Sequence, residues 1–240
     1  MLEEPFNLPY LRFRDLSLKD FQELYELFLQ RHGNDEEAAL ALLPSAAGSK
    51  ALRALGDDRY LSQMALCIFQ AGFVWRVVVQ KWDNFELAFS KFKPAAVAHF
   101  SDDRIEELMQ NTGIIRNRQK ILAVRDNAAF VYLQSQKSEG FGRWISDWPA
   151  EDTVGLWQEL KKKGSRLGGN TGPRVLRLVG RDTFLLTDDV CRALLRHGLV
   201  SDLSPNSQGG QRKAEKAFLD LQQQSGWSLC MLSRMLAFTV

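Results

Sequence analysis

The sequence predicts an all-α fold, and three observations favour it. Apolar residues recur at the i, i+3 and i+4 spacing of amphipathic helices along most of the chain. Strict alternation of apolar and polar residues nowhere extends beyond four positions, so no sheet is predicted. The composition of the 240 residues, 45% hydrophobic and 25% charged, is that of a globular protein with one domain or two lobes sharing a core. Collagen-like, fibrous and disordered chains are excluded.

Each helix is predicted from its own pattern. The first covers 17–31 with Ser17 as its N-cap, and an Ala- and Leu-rich helix over 35–43 ends at the Pro-Ser-Ala-Ala-Gly break at 44–48. The segment 60–81 is apolar on nearly every side, which indicates a central helix that is buried all round. The remaining helices are predicted over 84–92, from Pro94 onward, and over 101–110, 118–136, 152–162, 171–179, 188–197, 209–223 and 227–238.

The charge is unevenly distributed along the chain. The net charge is +2, but residues 1–60 hold 7 Lys and Arg against 11 Asp and Glu, so the excess of positive charge lies in the remainder. Clustered Lys and Arg bind polyanions such as nucleic acid, where they displace counterions from phosphates. From charge alone, a solvated surface face is an equally good explanation. The densest cationic stretch comprises Lys161, Lys162, Lys163, Arg166, Arg174, Arg177 and Arg181.

Disulfide and metal chemistry are not expected. Cys67, Cys191 and Cys230 are odd in number, far apart and absent from Cys-x-x-Cys pairs, so we expect no disulfide framework, no metal and no cofactor. Cys67 is expected to pack as a small apolar residue, and His197 to lie at a helix end on the surface. The apolar run near 64–79 is too short to cross a bilayer and no basic leader precedes it, which favours a cytoplasmic protein without membrane contact.

The turn at 167–174, Leu-Gly-Gly-Asn-Thr-Gly-Pro-Arg, joins two predicted helices, the first of which ends in three lysines. Glycine allows the backbone to approach a phosphate, and the amides that open the next helix point toward an anion. A helix-hairpin-helix phosphate clamp is therefore predicted, although a glycine C-cap followed by an ordinary turn would have the same sequence. The residues predicted to contact nucleic acid here are Gly169, Asn170, Thr171, Gly172 and Arg174.

Two adjacent carboxylates, Asp188 and Asp189, follow at the start of a predicted helix. Residues at this position commonly cap a helix, and Thr187 or Asp188 could accept from the amides of the first turn. A carboxylate that instead faces a cleft beside the hairpin could stabilise a cationic sugar or orient a water molecule. On spacing alone, capping is favoured.

Several motifs, taken together, resemble those of DNA-3-methyladenine glycosylase I. They are Gln-Ala-Gly-Phe-Val-Trp at 70–75, the phenylalanine-rich segment 85–92 and, above all, Gly-Ile-Ile-Arg-Asn-Arg-Gln-Lys-Ile at 113–121. The pieces match in order and spacing over 57–135. The hairpin fits the wider helix-hairpin-helix glycosylase superfamily, and 181–189 is similar to the aspartate segment of DNA-3-methyladenine glycosylase II.

The resemblance implies a two-lobed helical bundle with a helix-hairpin-helix motif and a base pocket between the lobes. It divides the chain into an N-terminal helical extension over 1–56 and a glycosylase-like domain over 57–240, whose N-terminal helices pack with the C-terminal pair. It also implies a partner, double-stranded DNA with a damaged base, which enzymes of this kind take out of the stack. These remain expectations for the structure to test.

The resemblance also assigns site residues. Asp189 is selected as the catalytic carboxylate, with Asp188 as the alternative. Trp75, Gln70 and Cys67 are expected to line the base pocket. The DNA contacts expected outside the hairpin turn are Arg116, Arg118, Lys120 and Lys163.

Departures from the family pattern bear on the chemistry. Type I members carry an acidic residue that reads the flipped base eight residues before the tryptophan that matches Trp75, and this position holds Cys67 here. Bifunctional superfamily members have a nucleophilic lysine two positions after the last glycine of the hairpin, where this chain has Arg174, which cannot act as a nucleophile near neutral pH. Type I members also bind zinc through Cys and His near both ends, and this chain lacks that set.

The leading hypothesis is a monomeric, monofunctional DNA glycosylase that excises an alkylated purine by hydrolysis. A purine alkylated at N3 or N7 is cationic and leaves readily, so a positioned water molecule and stabilisation of the sugar's positive charge would suffice. The alternative is a non-catalytic DNA-binding or damage-sensing protein with the same fold. A helical protein-interaction domain would require the N-terminal 56 residues to cover the basic hairpin.

Overall fold

The computed structural model describes residues 20–240, and the chain is helical throughout this part, with no strand. The all-α prediction is confirmed. The predicted cap Ser17 lies outside the described residues. Between residues 20 and 240, no helix combines the length and the apolar character that a membrane span requires.

In chain order, the helices are α1 (Phe21–Arg31), α2 (Glu36–Leu40), α3 (Ser49–Ala54), α4 (Asp57–Gln70), α5 (Trp75–Gln80), α6 (Trp82–Ala88), α7 (Pro94–Ala98), α8 (Asp102–Gln110), α9 (Arg118–Ser138), α10 (Phe141–Asp147), α11 (Thr153–Lys163), α12 (Thr171–Leu178), α13 (Asp188–Arg196), α14 (Gln208–Ser225) and α15 (Leu229–Ala237). A 3-10 turn at Ser90–Phe92 precedes α7. Side chains cap many of these helices, as where Asn117 accepts from the amide of Lys120 at the start of α9.

The predicted helix over 60–81 is two helices, α4 and α5. Gly72 ends the first because it adopts the left-handed conformation, with φ at 72°, and the chain then turns before Trp75. The expectation of burial on every side holds for α4 but not for α5, where Trp75 and Val79 are more than half exposed. The sequence did not predict this break, because the residues on both sides of Gly72 are apolar.

Buried side chains form two hydrophobic clusters that share α4 and α9. On α4, Met64 belongs to the larger cluster and Phe69 to the smaller one. The smaller cluster contains a series of phenylalanines in which the rings of Phe89 and Phe92 stack 5.4 Å apart. We interpret the two clusters as the two expected lobes, with α4 and α9 between them.

The described part of the N-terminal extension, residues 20–56, packs into the larger cluster. Phe28 of α1 is fully buried and stacks on Phe238 at a centroid distance of 5.9 Å. Farther along, the carbonyl oxygen of Leu52 accepts from the hydroxyl of buried Tyr60 at 2.8 Å. The expected boundary coincides with the start of α4, and the core continues across it without interruption.

Candidate functional site

The loop between α11 and α12, residues 164–170, forms a hairpin fixed to α9. The side chain of Asn127, fully buried, donates to the carbonyl oxygen of Ser165 at 2.9 Å and accepts from the amide of the same residue at 2.8 Å. At the start of α12, a side chain at Gly172 would lie 2.6 Å from the carbonyl oxygen of Leu167, so only glycine fits there. Gly169 has φ at 59° and open space around it, so the described part of the chain leaves the hairpin tip uncovered.

The hairpin is tied to the segment that precedes α13. The amide group of Asn170 donates to the carbonyl oxygen of Leu186 at 2.9 Å. The next residue, Thr187, caps α13 by accepting from the amide of Val190. Of the two capping candidates, Thr187 and Asp188, the structure selects Thr187, so Asp188 is not needed as a cap.

Both aspartates at the start of α13 are exposed. Asp189 forms an ion pair with Arg192 one turn along the same helix. Asp188 has no ion pair within residues 20–240. Neither aspartate lines the nearby cavity between α4, α5 and α12. The hydrogen bond from Asn170, which does line it, to Leu186 places the segment before α13 next to this cavity.

A cavity of about 180 Å³ lies between the end of α4, the start of α5 and the start of α12. It brings together the three residues predicted for a base pocket and three of those predicted for the hairpin contact with nucleic acid. The residues that line it are Cys67, Gln70, Ala71, Trp75, Asn170, Thr171 and Arg174.

Arg174 connects the two sides of this cavity. Its guanidinium carbon lies 3.5 Å from the centroid of the Trp75 ring, and its Nη2 donates to Oε1 of Gln70 at 3.3 Å. Trp75 is 51% exposed, whereas Gln70 is buried. Burial raises the pKa of Cys67 to about 11, against the opposite effect of the nearby Arg174 charge, so this thiol is neutral at physiological pH. Among the described residues that line the cavity, Arg174 alone is charged.

Lys120 does not face solvent, contrary to its prediction as a DNA contact. Its ammonium donates to the carbonyl oxygens of Phe69 at 3.1 Å and Ala71 at 2.6 Å, and lies 4.6 Å from the centroid of the Phe73 ring. Burial lowers the pKa of Lys120, and the charge of Arg166 adds to this effect. Lys120 therefore supports the end of α4 and the turn after it.

The other predicted cations differ in their surroundings. Arg116 is exposed on the loop before α9, with no ion pair in the described part of the chain. Arg118 pairs with Glu106, and Lys163 pairs with Glu159 at 2.6 Å. All three lie at the surface and are accessible to a large anion.

Arg177 and Arg181, part of the dense cationic stretch, are bound to the protein's own carbonyl oxygens. Arg177 donates to Thr183 at 2.6 Å, and Arg181 donates to Trp148 at 2.9 Å. Burial lowers the pKa of both guanidinium groups. The basic surface at the hairpin is consequently smaller than the sequence indicates.

The sequence over the pocket matches known proteins. The chain is 39% identical over 135 residues to DNA-3-methyladenine glycosylase 1 of Escherichia coli (strain K12), which covers 48% of this chain and 72% of that protein. The chain belongs to the DNA-3-methyladenine glycosylase I family. The predicted resemblance is confirmed. The methyladenine glycosylase family also matches residues 51–167.

Other members of the DNA-3-methyladenine glycosylase family give shorter or weaker matches. The DNA-3-methyladenine glycosylase of Haemophilus influenzae is 34% identical over 76 residues, 32% of this chain and 41% of that protein. The match to a crystal structure of 3-methyladenine DNA glycosylase I covers 65% of this chain and 87% of the chain in that structure, with 24% identity and a TM-score of 0.47.

The family match ends at Leu167, within the hairpin loop. One side of the cavity, with Cys67, Gln70 and Trp75, therefore lies inside the matched segment, and the side with Arg174 lies beyond it.

The zinc site that the family resemblance implies does not fit this chain. Among residues 20–240, no group of three or more His, Cys, Asp or Glu side chains is arranged so that it could hold a metal ion. Of the three cysteines, Cys67 and Cys230 are buried as free thiols and Cys191 is half-buried.

Two apolar residues of the turn between α4 and α5, Phe73 and Val74, are exposed, which the sequence did not predict. They follow Gly72, and their exposed fractions are 43% and 66%. The interpretation of 60–81 as one buried helix assigned both to the core. A glycine within an apolar run, followed by a bulky residue, was the available signal for an exposed turn.

Proposed function

We propose that this DNA-3-methyladenine glycosylase I family member flips an alkylated purine, such as 3-methyladenine, out of double-stranded DNA and releases it by hydrolysis of the N-glycosidic bond. The observation that carries the proposal is the cavity between α4, α5 and α12. There Trp75 and Gln70 of the family-matched segment lie beside Thr171 of the hairpin. An aromatic face and a hydrogen-bonding amide next to a loop suited to phosphates are what a flipped base requires.

The base is recognised by stacking and by polar contacts from one wall. The half-exposed indole of Trp75 offers a stacking face, and the buried amide of Gln70 offers both a donor and an acceptor to the edge of the base. Cys67 supplies only a neutral thiol where relatives have an acidic residue. Recognition therefore depends on shape and stacking more than on charge.

The duplex is held at the hairpin and at the turn after α4. Within residues 20–240 the backbone amides of Gly169 and Asn170 have no backbone acceptor, and these two amides are assigned to the phosphate, while exposed Arg116 adds a second contact to the DNA backbone. The apolar side chains of Phe73 and Val74 are placed to insert between base steps and fill the space that the flipped base leaves.

Hydrolysis needs little from the protein, because an alkylated purine leaves as a neutral base from a cationic nucleotide. A carboxylate at the start of α13, Asp188 or Asp189, is assigned to orient water or to stabilise the positive sugar. Arg174 stands where bifunctional enzymes have their lysine and cannot form a Schiff base. The product is an intact strand with an abasic site.

We propose that the protein acts as a monomer, with all the contacts to the base supplied by one chain. Free thiols at Cys67, Cys191 and Cys230 suit a reducing compartment such as the cytoplasm. Residues 20–56 support the glycosylase-like domain through the larger cluster, so the extension is assigned a stabilising role.

The test is base release from duplexes that carry alkylated, deaminated or oxidised bases, with binding to the same duplexes measured in parallel. We expect release of 3-methyladenine and a loss of at least tenfold in this release when Trp75→Ala removes the stacking face. Borohydride should trap no protein–DNA adduct. Tight binding without release of any base would contradict the proposal and favour the non-catalytic alternative.

A further inference from the structure

Arg174 covers the surfaces that a flipped base would use. The guanidinium carbon is 3.5 Å from the centroid of the Trp75 ring, which is one stacking distance, so no second ring fits between them. The same group donates to Oε1 of Gln70, the polar atom on the adjacent wall. One side chain therefore occupies both the stacking face and the hydrogen-bonding edge of the pocket.

The contacts that hold Arg174 in the pocket are modest. Within residues 20–240 it has no carboxylate partner, and its bond to Gln70, at 3.3 Å, is long for a charged donor. A cation over an indole at a partly exposed site is a weak to moderate contact. The guanidinium is thus free to leave when a stronger acceptor comes within reach.

A DNA phosphate at the hairpin would be such an acceptor. Arg174 belongs to the first turn of α12, and the hairpin amides without a backbone acceptor in the described part of the chain, those of Gly169 and Asn170, belong to the loop just before this turn. A phosphate accepts two parallel bonds from a guanidinium, and both partners are charged. The hairpin and the pocket therefore compete for the same side chain.

We propose that Arg174 closes the base pocket in the DNA-free protein and that a phosphate bound at the hairpin draws it away, which opens the pocket. Arg174 is a positioning residue that makes the pocket available only on DNA. The proposal rests on the proposed function, because it requires that a base enters this cavity. A free purine therefore binds more weakly to the DNA-free protein than to the protein on DNA.

The proposal requires that duplex binding and base binding reinforce each other. Because such coupling is reciprocal, a duplex that carries an abasic-site analogue tightens the binding of free base by the same factor as base tightens the binding of that duplex. The strength of a cation–π contact with one hydrogen bond corresponds to a factor of about ten.

The experiment measures binding of free 3-methyladenine by calorimetry, with and without a saturating duplex that contains a tetrahydrofuran abasic analogue. In the wild-type protein, the duplex should tighten base binding about tenfold. Arg174→Ala should bind the base about tenfold more tightly without duplex, and duplex should then have no further effect. Arg174→Lys keeps a charge for the phosphate but loses the planar stacking group, so it should also bind base tightly while its duplex affinity stays close to wild type.

Arg234→Ala is the matched control, since Arg234 lies 4.3 Å over the ring of Phe238, away from the cavity lining. It should leave the coupling unchanged. Equal base affinity with and without duplex in the wild-type protein, or an unchanged base affinity in Arg174→Ala, would overturn the closure while leaving the glycosylase proposal intact. A wild-type protein that binds neither the duplex nor the base would instead overturn the proposed function itself.

Discussion

Cys67 shows how one residue changes the chemistry of an inherited pocket. Burial keeps its thiol neutral, so this position lacks the negative charge that the acidic residue implied by the family resemblance would bring. With Arg174 as the charged group of the lining, the pocket has a positive rather than a negative potential. This potential belongs to the DNA-free protein. Once Arg174 has moved to a phosphate, as proposed, the base meets a lining without a charged side chain among the described residues.

The two aspartates at the start of α13 can be separated by substitution. Asp189 is engaged by Arg192 and Asp188 is not, so we expect Asp188 to be the functional carboxylate. Asp188→Asn should lower base release by about a hundredfold, the usual loss for a positioned carboxylate, with duplex binding retained. Asp189→Asn should change release by less than about threefold, because a surface ion pair contributes little. Single-turnover release and duplex affinity are the measurements.

The thermal midpoint is the control, and it should change little in both variants because Thr187 is the cap. If the two effects on release are reversed, the sequence-based choice of Asp189 is correct. If neither variant slows release, catalysis relies on the leaving group and on pocket fit.

At the scale of single elements, the hairpin can be tested at its tip. Gly169 has a left-handed backbone in open space, a conformation that Asn and Asp tolerate better than other residues. Gly169→Asp places a negative charge against the phosphate and should weaken duplex binding at least tenfold at any sequence. Gly169→Asn has nearly the same shape without the charge and should bind within about threefold of wild type.

The difference between these two variants, measured at several salt concentrations, isolates the charge. Equal affinities for the two proteins would remove the hairpin tip from the DNA interface. Gly172→Asp is less informative, because a side chain there meets the carbonyl oxygen of Leu167 and would disturb the hairpin itself.

The sequence predicts the helices better than it predicts which groups their side chains contact. Local periodicity was sufficient for the all-α class, and the family motifs selected Trp75 and Gln70, which do line the cavity. Lys120 could not be placed, because its acceptors lie about fifty residues away at Phe69 and Ala71. Arg181 is similar, with an acceptor on Trp148. Charge in a sequence shows what a side chain can bind, but only the fold shows whether the protein already binds it.

At the scale of the whole molecule, a buried histidine links stability to pH. His197 was expected at the surface, but it is 2% exposed, with Nε2 2.9 Å from Oγ1 of Thr239. Burial lowers its pKa, and the charges of Arg196 and Arg31 add to this effect. Between the lowered pKa and the ordinary value of about 6.5, the unfolded chain binds more protons than the folded one, so stability falls as pH drops through this window.

We therefore expect the thermal midpoint to fall between pH 7.5 and pH 5.5, by about 3–5 °C for a lowering of the His197 pKa by one unit. His197→Gln, which cannot take up a proton in this range, should flatten that part of the profile even if its midpoint is lower throughout. His99→Gln is the control, since His99 is exposed. An identical slope in the wild-type protein and His197→Gln would assign the acid sensitivity to other groups.

The contact between Ala47 and Gly180 fixes the C-terminal side of α12, and the hairpin fixes its N-terminal side. The amide of Ala47 donates to the carbonyl oxygen of Gly180 at 2.8 Å, and its methyl group fills the place where a side chain at Gly180 would stand. Helix α12, with eight residues, is only about 12 Å long, so this contact lies close to the hairpin. A truncation that removes Ala47 would therefore act on the same helix that carries Arg174 at its other end.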